Sequence, residues 1–128
     1  MNRTVFLLTA LIGATLAAIG VSHTSAQSKK HRVVFEVSVA GEEQWQAILN
    51  NIENLQKAFG RANTEIEVVA HGKGLGLLRI TNTAMAERLK TISDAGVTLA
   101  ACENTMRRLN VKKEDLLPFA VTVDSGVA

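Results

Sequence analysis

The sequence predicts an α/β fold: a mainly parallel sheet of at least four strands, with helices on both faces. Three observations predict it. Short segments rich in β-branched residues alternate with segments of helical periodicity, in the order β-α-β-α-β-α-β. The connections are long enough to cross over between parallel strands. The third strand segment, Val97-Thr98-Leu99-Ala100-Ala101-Cys102, shows no polar alternation beyond Thr98, as expected of a strand covered on both faces. The composition agrees with one packed domain, since 47% of residues are hydrophobic and 20% charged.

Taken in order, the chain opens with Arg3, an apolar stretch from Val5 to Val21, and the small and polar run Ser22-His23-Thr24-Ser25-Ala26. This is the layout of a secretory signal peptide, residues 1–26, with Thr24 and Ala26 at the −3 and −1 positions of cleavage before Gln27. The alternative is an uncleaved anchor. The apolar run is interrupted by Thr9, Gly13, Thr15 and Gly20 and is marginal in length for a span. The expected location is the periplasm or the outside of the cell, with no stable membrane insertion after cleavage.

Residues 27–128 form the expected domain. Gln27 to Arg32 is a polar, basic lead. Val33 to Val39 is the first strand, broken by Gly41. Glu42 and Glu43 then open a helix at its positive end. Trp45, Ile48, Leu49, Ile52, Leu55 and Phe59 follow at three- and four-residue steps, giving one apolar face that ends near Gly60. Thr64 to Ala70 is the second strand. His71 to Leu78 is a glycine-rich turn leading into a short apolar helical turn. Thr83 to Ser93 is a helix with Met85, Leu89 and Ile92 facing inward, and Asp94-Ala95-Gly96 ends it. After the third strand, Glu103-Asn104-Thr105 opens a short helix through Leu109. Lys112 to Leu116 is a turn or short helix ahead of Pro118, and Phe119 to Val123 is the fourth strand. Asp124 and Ser125 then announce a helix N-cap, yet the sequence stops at Ala128. The expectation is a domain truncated at its C-terminal end.

Several function classes are excluded. A net charge of +2 offers no nucleic-acid footprint. Aromatic residues are 4% of the chain, with no Tyr, so stacking platforms are absent. A single cysteine forbids an internal disulfide and any site of several thiolates. In an oxidising compartment a lone thiol is buried, reactive, or paired with another chain.

That thiol, Cys102, is the leading site candidate. Active sites of open parallel sheets lie at the carboxyl ends of the strands. Cys102 stands there, just before a helix whose N-terminal amides favour a thiolate. Arg107 and Arg108 add positive potential, and Glu103 opposes it. The alternative is a quiet core cysteine. His71 ends the second strand on the same sheet edge and is an auxiliary acid–base candidate. Its alternative is a polar loop residue that merely leaves the sheet. Gly72, Gly74 and Gly76 with Lys73 form G-x-G-x-G, which is neither the dinucleotide nor the P-loop spacing. They read as a turn that lets backbone pass close to the Cys102 edge. Cys102, Met106 and His71 make a conceivable soft metal site, but Met106 in the core is the simpler reading. No cofactor or metal is expected.

The chain resembles the DsrE/DsrF-like family of small sulfur-handling proteins, in its secreted, stand-alone subgroup. The resemblance rests on Gly96 to Met106, then Val111 and Glu114-Asp115-Leu116-Leu117-Pro118, then Val123 to Val127, and finally Ala70 to Gly74. It implies a three-layer α/β/α domain assembled as a homo-oligomer. In the relay members, a cysteine just after a strand accepts sulfane sulfur as a persulfide and passes it to a partner. Cys102 occupies the matching position. The implied function is a sulfur carrier or sulfurtransferase-like relay with donor and acceptor proteins as partners. The alternative is a non-enzymatic module that binds a small ligand or partner and keeps a structural cysteine. Similar proteins continue past the Ser-Gly-Val element into a further helix, which agrees with the unfulfilled N-cap.

Overall fold

The computed structural model describes residues 29–126. The proposed leader, residues 1–26, lies outside the described residues. Four strands, β1 (His31–Val37), β2 (Thr64–Ala70), β3 (Thr98–Cys102) and β4 (Val121–Val123), form one all-parallel sheet in the order β1-β2-β3-β4. The helices are α1 (Glu42–Phe59), α2 (Thr83–Asp94) and α3 (Glu103–Leu109), with short 3₁₀ stretches at Arg61–Asn63, Gly72–Leu78 and Lys113–Asp115. The α/β fold and its parallel sheet are those the sequence predicts.

Local chemistry explains the elements. The first turn of α1 carries Glu42 and Glu43 and its last turn Lys57, both favourable to the helix dipole. Gly60 stops it, its N–H capping the Gln56 carbonyl at 2.9 Å. Asn110 ends α3 in the left-handed region, which Asn tolerates better than most residues.

Pairing register sorts the strand residues by face. Val33, Phe35 and Val37 stand beside Ile66, Val68 and Ala70, and the last two beside Leu99 and Ala101. These line the face that carries the core. Leu49 and Ile52 of α1 and Met85, Leu89 and Ile92 of α2 fill it, together with Leu75, Leu77 and Leu78 of the glycine-rich stretch. Met106, Val111, Leu116, Leu117 and Ala120 close it near β4. Fully burying a leucine stabilises the fold by about 1.5–3 kcal/mol, so this cluster is the main source of stability. On the other face run Glu36, Val69, Ala100 and Val121 in one row. Val69, Ala100 and Cys102 are buried there too, so β3 is covered on both faces, as its apolar run predicts. Val34, on the edge strand, is 66% exposed.

The strand ends and one helix face show the main differences from the sequence reading. β1 begins two residues earlier and ends at Val37, because Gly74 packs against the Val37 carbonyl and the chain then turns away. β4 shortens to three residues, since Phe119 and Ala120 belong to a turn closed by the Ala120 N–H on the Leu117 carbonyl. Phe59 leaves the apolar face of α1: it is 47% exposed and its ring packs on that of His31, with centroids 4.3 Å apart.

The glycine-rich stretch owes its course to Gly74. A Cβ there would lie 2.0 Å from the Val37 carbonyl oxygen and 2.4 Å from its carbon. Both partners are backbone and cannot swing aside. Gly74→Ala is therefore expected to cost at least about 3 kcal/mol and to lower Tm by roughly 12 °C or more, read by thermal unfolding. An unchanged Tm would show that the stretch can withdraw from β1 at no cost.

Candidate functional site

Cys102 is the last residue of β3 and the N-cap of α3. The residue is 4% exposed, but its side chain belongs to no part of the aliphatic core cluster. Polar hydrogens surround the sulfur instead. The Gly126 N–H points to Sγ at 3.2 Å. The Thr105 N–H and hydroxyl and the Asn104 N–H stand at the start of α3, where they favour the charged sulfur without closing a side-chain cap on it.

Two opposing effects set the charge of this thiol. Burial is the larger single influence and pushes the pKa up. The donors from Thr105, Gly126 and Asn104 together outweigh it, and the net displacement is downward from the ordinary thiol value. The thiolate is the form these donors favour.

The Thr105 hydroxyl has a second partner. Its oxygen accepts the Gly72 N–H at 3.0 Å. The hydroxyl keeps its one proton for donation, and it favours the charged form of the sulfur. Thr105 is buried, so the arrangement is shielded from water. The glycine-rich stretch thus reaches the thiol through Thr105. Two of its amides are occupied, Gly72 by Thr105 and Gly74 by the His71 carbonyl at 2.9 Å. This occupancy favours the close-passing turn over a phosphate cradle.

His71 follows Ala70 as Cys102 follows Ala101, and Ala70 and Ala101 are paired. The two candidates therefore emerge side by side at the carboxyl end of the sheet. His71 does not take the sulfur as its partner. Its Nε2 meets Glu36 Oε1 at 2.6 Å, and since a carboxylate only accepts, Nε2 carries the proton. The ring rests against Gly126 (a Cβ on that glycine would lie 3.0 to 3.2 Å from the Cβ, Cγ and Cδ2 atoms of His71). Arg107 is committed within α3, to Asn104 and to Glu103, the latter at 3.7 Å. Met106 is buried in the core cluster, which favours its packing role over metal ligation.

Three residues of the site were not singled out from sequence. Thr105 was legible in principle, since it stands three residues after an N-cap, where a side chain meets the cap. Glu36 is one of several outward positions on β1, and only pairing register puts it beside His71. Gly126 lies in the Val123–Val127 stretch that carries the resemblance, but its place at the sulfur depends on where the segment after β4 turns.

The sequence model of the DsrE/DsrF-like family matches residues 29–127. Among solved structures, the chain is similar to MTH1491 of Methanobacterium thermoautotrophicum, a protein of unknown function. The TM-score is 0.71 at 31% identity, over 77% of this chain and 86% of that one. None of the curated proteins matches the chain.

The donor set predicts a pH effect. Thr105→Val removes the hydroxyl and keeps the shape. The pH midpoint of Cys102 alkylation by iodoacetamide should rise, and the rate at neutral pH should fall about tenfold, the scale of one charge-assisted hydrogen bond. Stability should change in step. The folded wild type loses the thiol proton at lower pH than the unfolded chain. The associated stability is full above the unfolded pKa and is lost as pH falls through the folded one. An unmoved midpoint in the variant would remove Thr105 from the site.

Proposed function

The chain belongs to the DsrE/DsrF-like family, which is associated with sulfur relay, and from that premise we propose that it is a sulfur carrier or sulfurtransferase-like protein using Cys102 as its persulfide site. The observation that carries the reading is a strand-end thiol whose Sγ takes the Gly126 N–H at 3.2 Å, with Thr105 and Asn104 helping to lower its pKa despite burial. Sulfur uptake needs a thiolate and a path to it, not a full catalytic triad.

The step balances with a sulfane-sulfur donor such as thiosulfate. The Cys102 thiolate attacks the outer sulfur and forms a new S–S bond. The bond between that sulfur and the sulfonate breaks, and its electron pair leaves with sulfite. Cys102 is left as a persulfide anion. Delivery is the same exchange in the other direction: an acceptor thiolate takes the outer sulfur and Cys102 departs as thiolate. His71, held by Glu36 at the same edge, is the auxiliary proton-handling group in this reading. The location is periplasmic or extracytoplasmic after removal of residues 1–26. The working form is a homo-oligomer, and the partners are sulfur donor and acceptor proteins. Among the described residues no helix is long and apolar enough to cross a membrane.

One observation favours a second reading. At 4% exposure, Cys102 is as covered as a structural cysteine, and a binding module without sulfur chemistry would present the same burial. Accessibility separates the two: a thiol labelled only after unfolding belongs to the second.

The decisive measurement is the mass of the purified protein after incubation with thiosulfate or polysulfide. A gain of one sulfur, about 32 Da, is expected on the wild type and should be lost on treatment with reductant. Cys102→Ser should show none. A wild type that gains no mass with any donor would overturn the proposal.

A further inference from the structure

The chain after β4 turns back over the site. Val123 pairs with Cys102 across the sheet, and three residues later Gly126 places its N–H on the Cys102 sulfur at 3.2 Å. The same glycine lies tightly against the His71 imidazole: a Cβ would come to 3.0 Å from His71 Cβ and 3.1 Å from Cγ, so the ring would have to give way. His71 is in turn held from β1 by Glu36. The glycine is not demanded by backbone conformation, since Gly126 is absent from the positive-φ residues. Its smallness alone is what the position uses.

We infer that Gly126 is a positioning residue for Cys102 and that Asp124–Gly126 forms a strap over the sulfur, seated on His71, which lifts before a sulfur donor can reach it. The inference rests on the Cys102 reading above and deepens it by describing how access is controlled. A sulfur buried to this degree presents no open line to an incoming S–S bond, and nucleophilic displacement at sulfur needs such a line. Among the described residues, Gly126 reaches the sulfur from a short segment beyond β4 and not from the aliphatic core, so lifting it does not require unfolding the domain. While closed, the strap stabilises the thiolate through its N–H. While open, it leaves Thr105 and Asn104 in place as donors. His71 serves the resting state as the surface on which the strap sits.

Alkylation of the folded protein by iodoacetamide, at a pH where the thiol is fully ionised, tests access alone. Gly126→Ala should raise this rate about fivefold or more, the population change that one lost hydrogen bond produces. In Gly126→Ala with His71→Ala, the space left by the ring should let the strap reseat. Its rate should then return to within about twofold of His71→Ala alone. A Gly126→Ala rate equal to wild type would overturn the strap. A double variant as far above His71→Ala as Gly126→Ala is above wild type would overturn its seating on His71. Should Gly126→Ala fail to fold, amide exchange on the wild type decides instead. The Gly126 N–H should be protected in the free thiol and lose that protection when Cys102 is methylthiolated. Equal protection in both forms would overturn the inference. None of these readings needs a sulfur donor, so failure of the strap and failure of sulfur uptake are separately visible.

Discussion

The close approach of the glycine-rich stretch to the end of β1 is the constraint on which the site rests. Gly74 lies against the Val37 carbonyl at a distance no side chain allows. From that anchor, Leu75, Leu77 and Leu78 enter the core, while Gly72 turns outward to place its N–H on Thr105. One backbone contact thereby serves two ends, bulk packing beneath the sheet and hydrogen-bond alignment at its edge. The cluster of glycines superficially resembles a nucleotide-binding loop, yet each has a local cause: Gly74 meets the β1 backbone, Gly76 the Trp45 ring, and Gly72 takes a left-handed φ.

The thiol that results is a compromise between opposed effects. Water would stabilise a thiolate, and burial removes it. The Gly126 N–H from the segment beyond β4 replaces part of it with a directed hydrogen, and Thr105 and Asn104 at the start of α3 favour the charge as well. Directed donors cost no reorganisation when charge appears, so a covered sulfur can remain a ready nucleophile. Under the proposed function, one cysteine would meet the requirements of sulfur chemistry in this way without a base bonded to it. The imidazole that might have filled that part is turned towards Glu36.

Coverage also bears on specificity. A persulfide is reactive towards any thiol or oxidant that reaches it. On the proposed reading, a thin polar cover at the sheet edge would limit such encounters to partners able to displace it. The aliphatic core on the opposite face contributes rigidity: its strands hold β2 and β3 in register, and register is what brings His71 and Cys102 out side by side.

By itself the sequence determined the α/β class, the order of elements and the position of Cys102 at a strand end. These follow from periodicity, from β-branched runs and from turn residues, all of which act over a few neighbours in the chain. Thr64 to Ala70 illustrates this, being both the segment read and the strand found. The role of the glycines was half legible: a close passage was expected, but not which backbone they approach. Tertiary structure alone decided that Glu36 takes His71, that Thr105 is wired to Gly72, and that Gly126 covers the sulfur. Each of these joins residues far apart in sequence through register or through the path of a turn. Such pairings depend on how whole strands align, and local preference carries no record of that alignment.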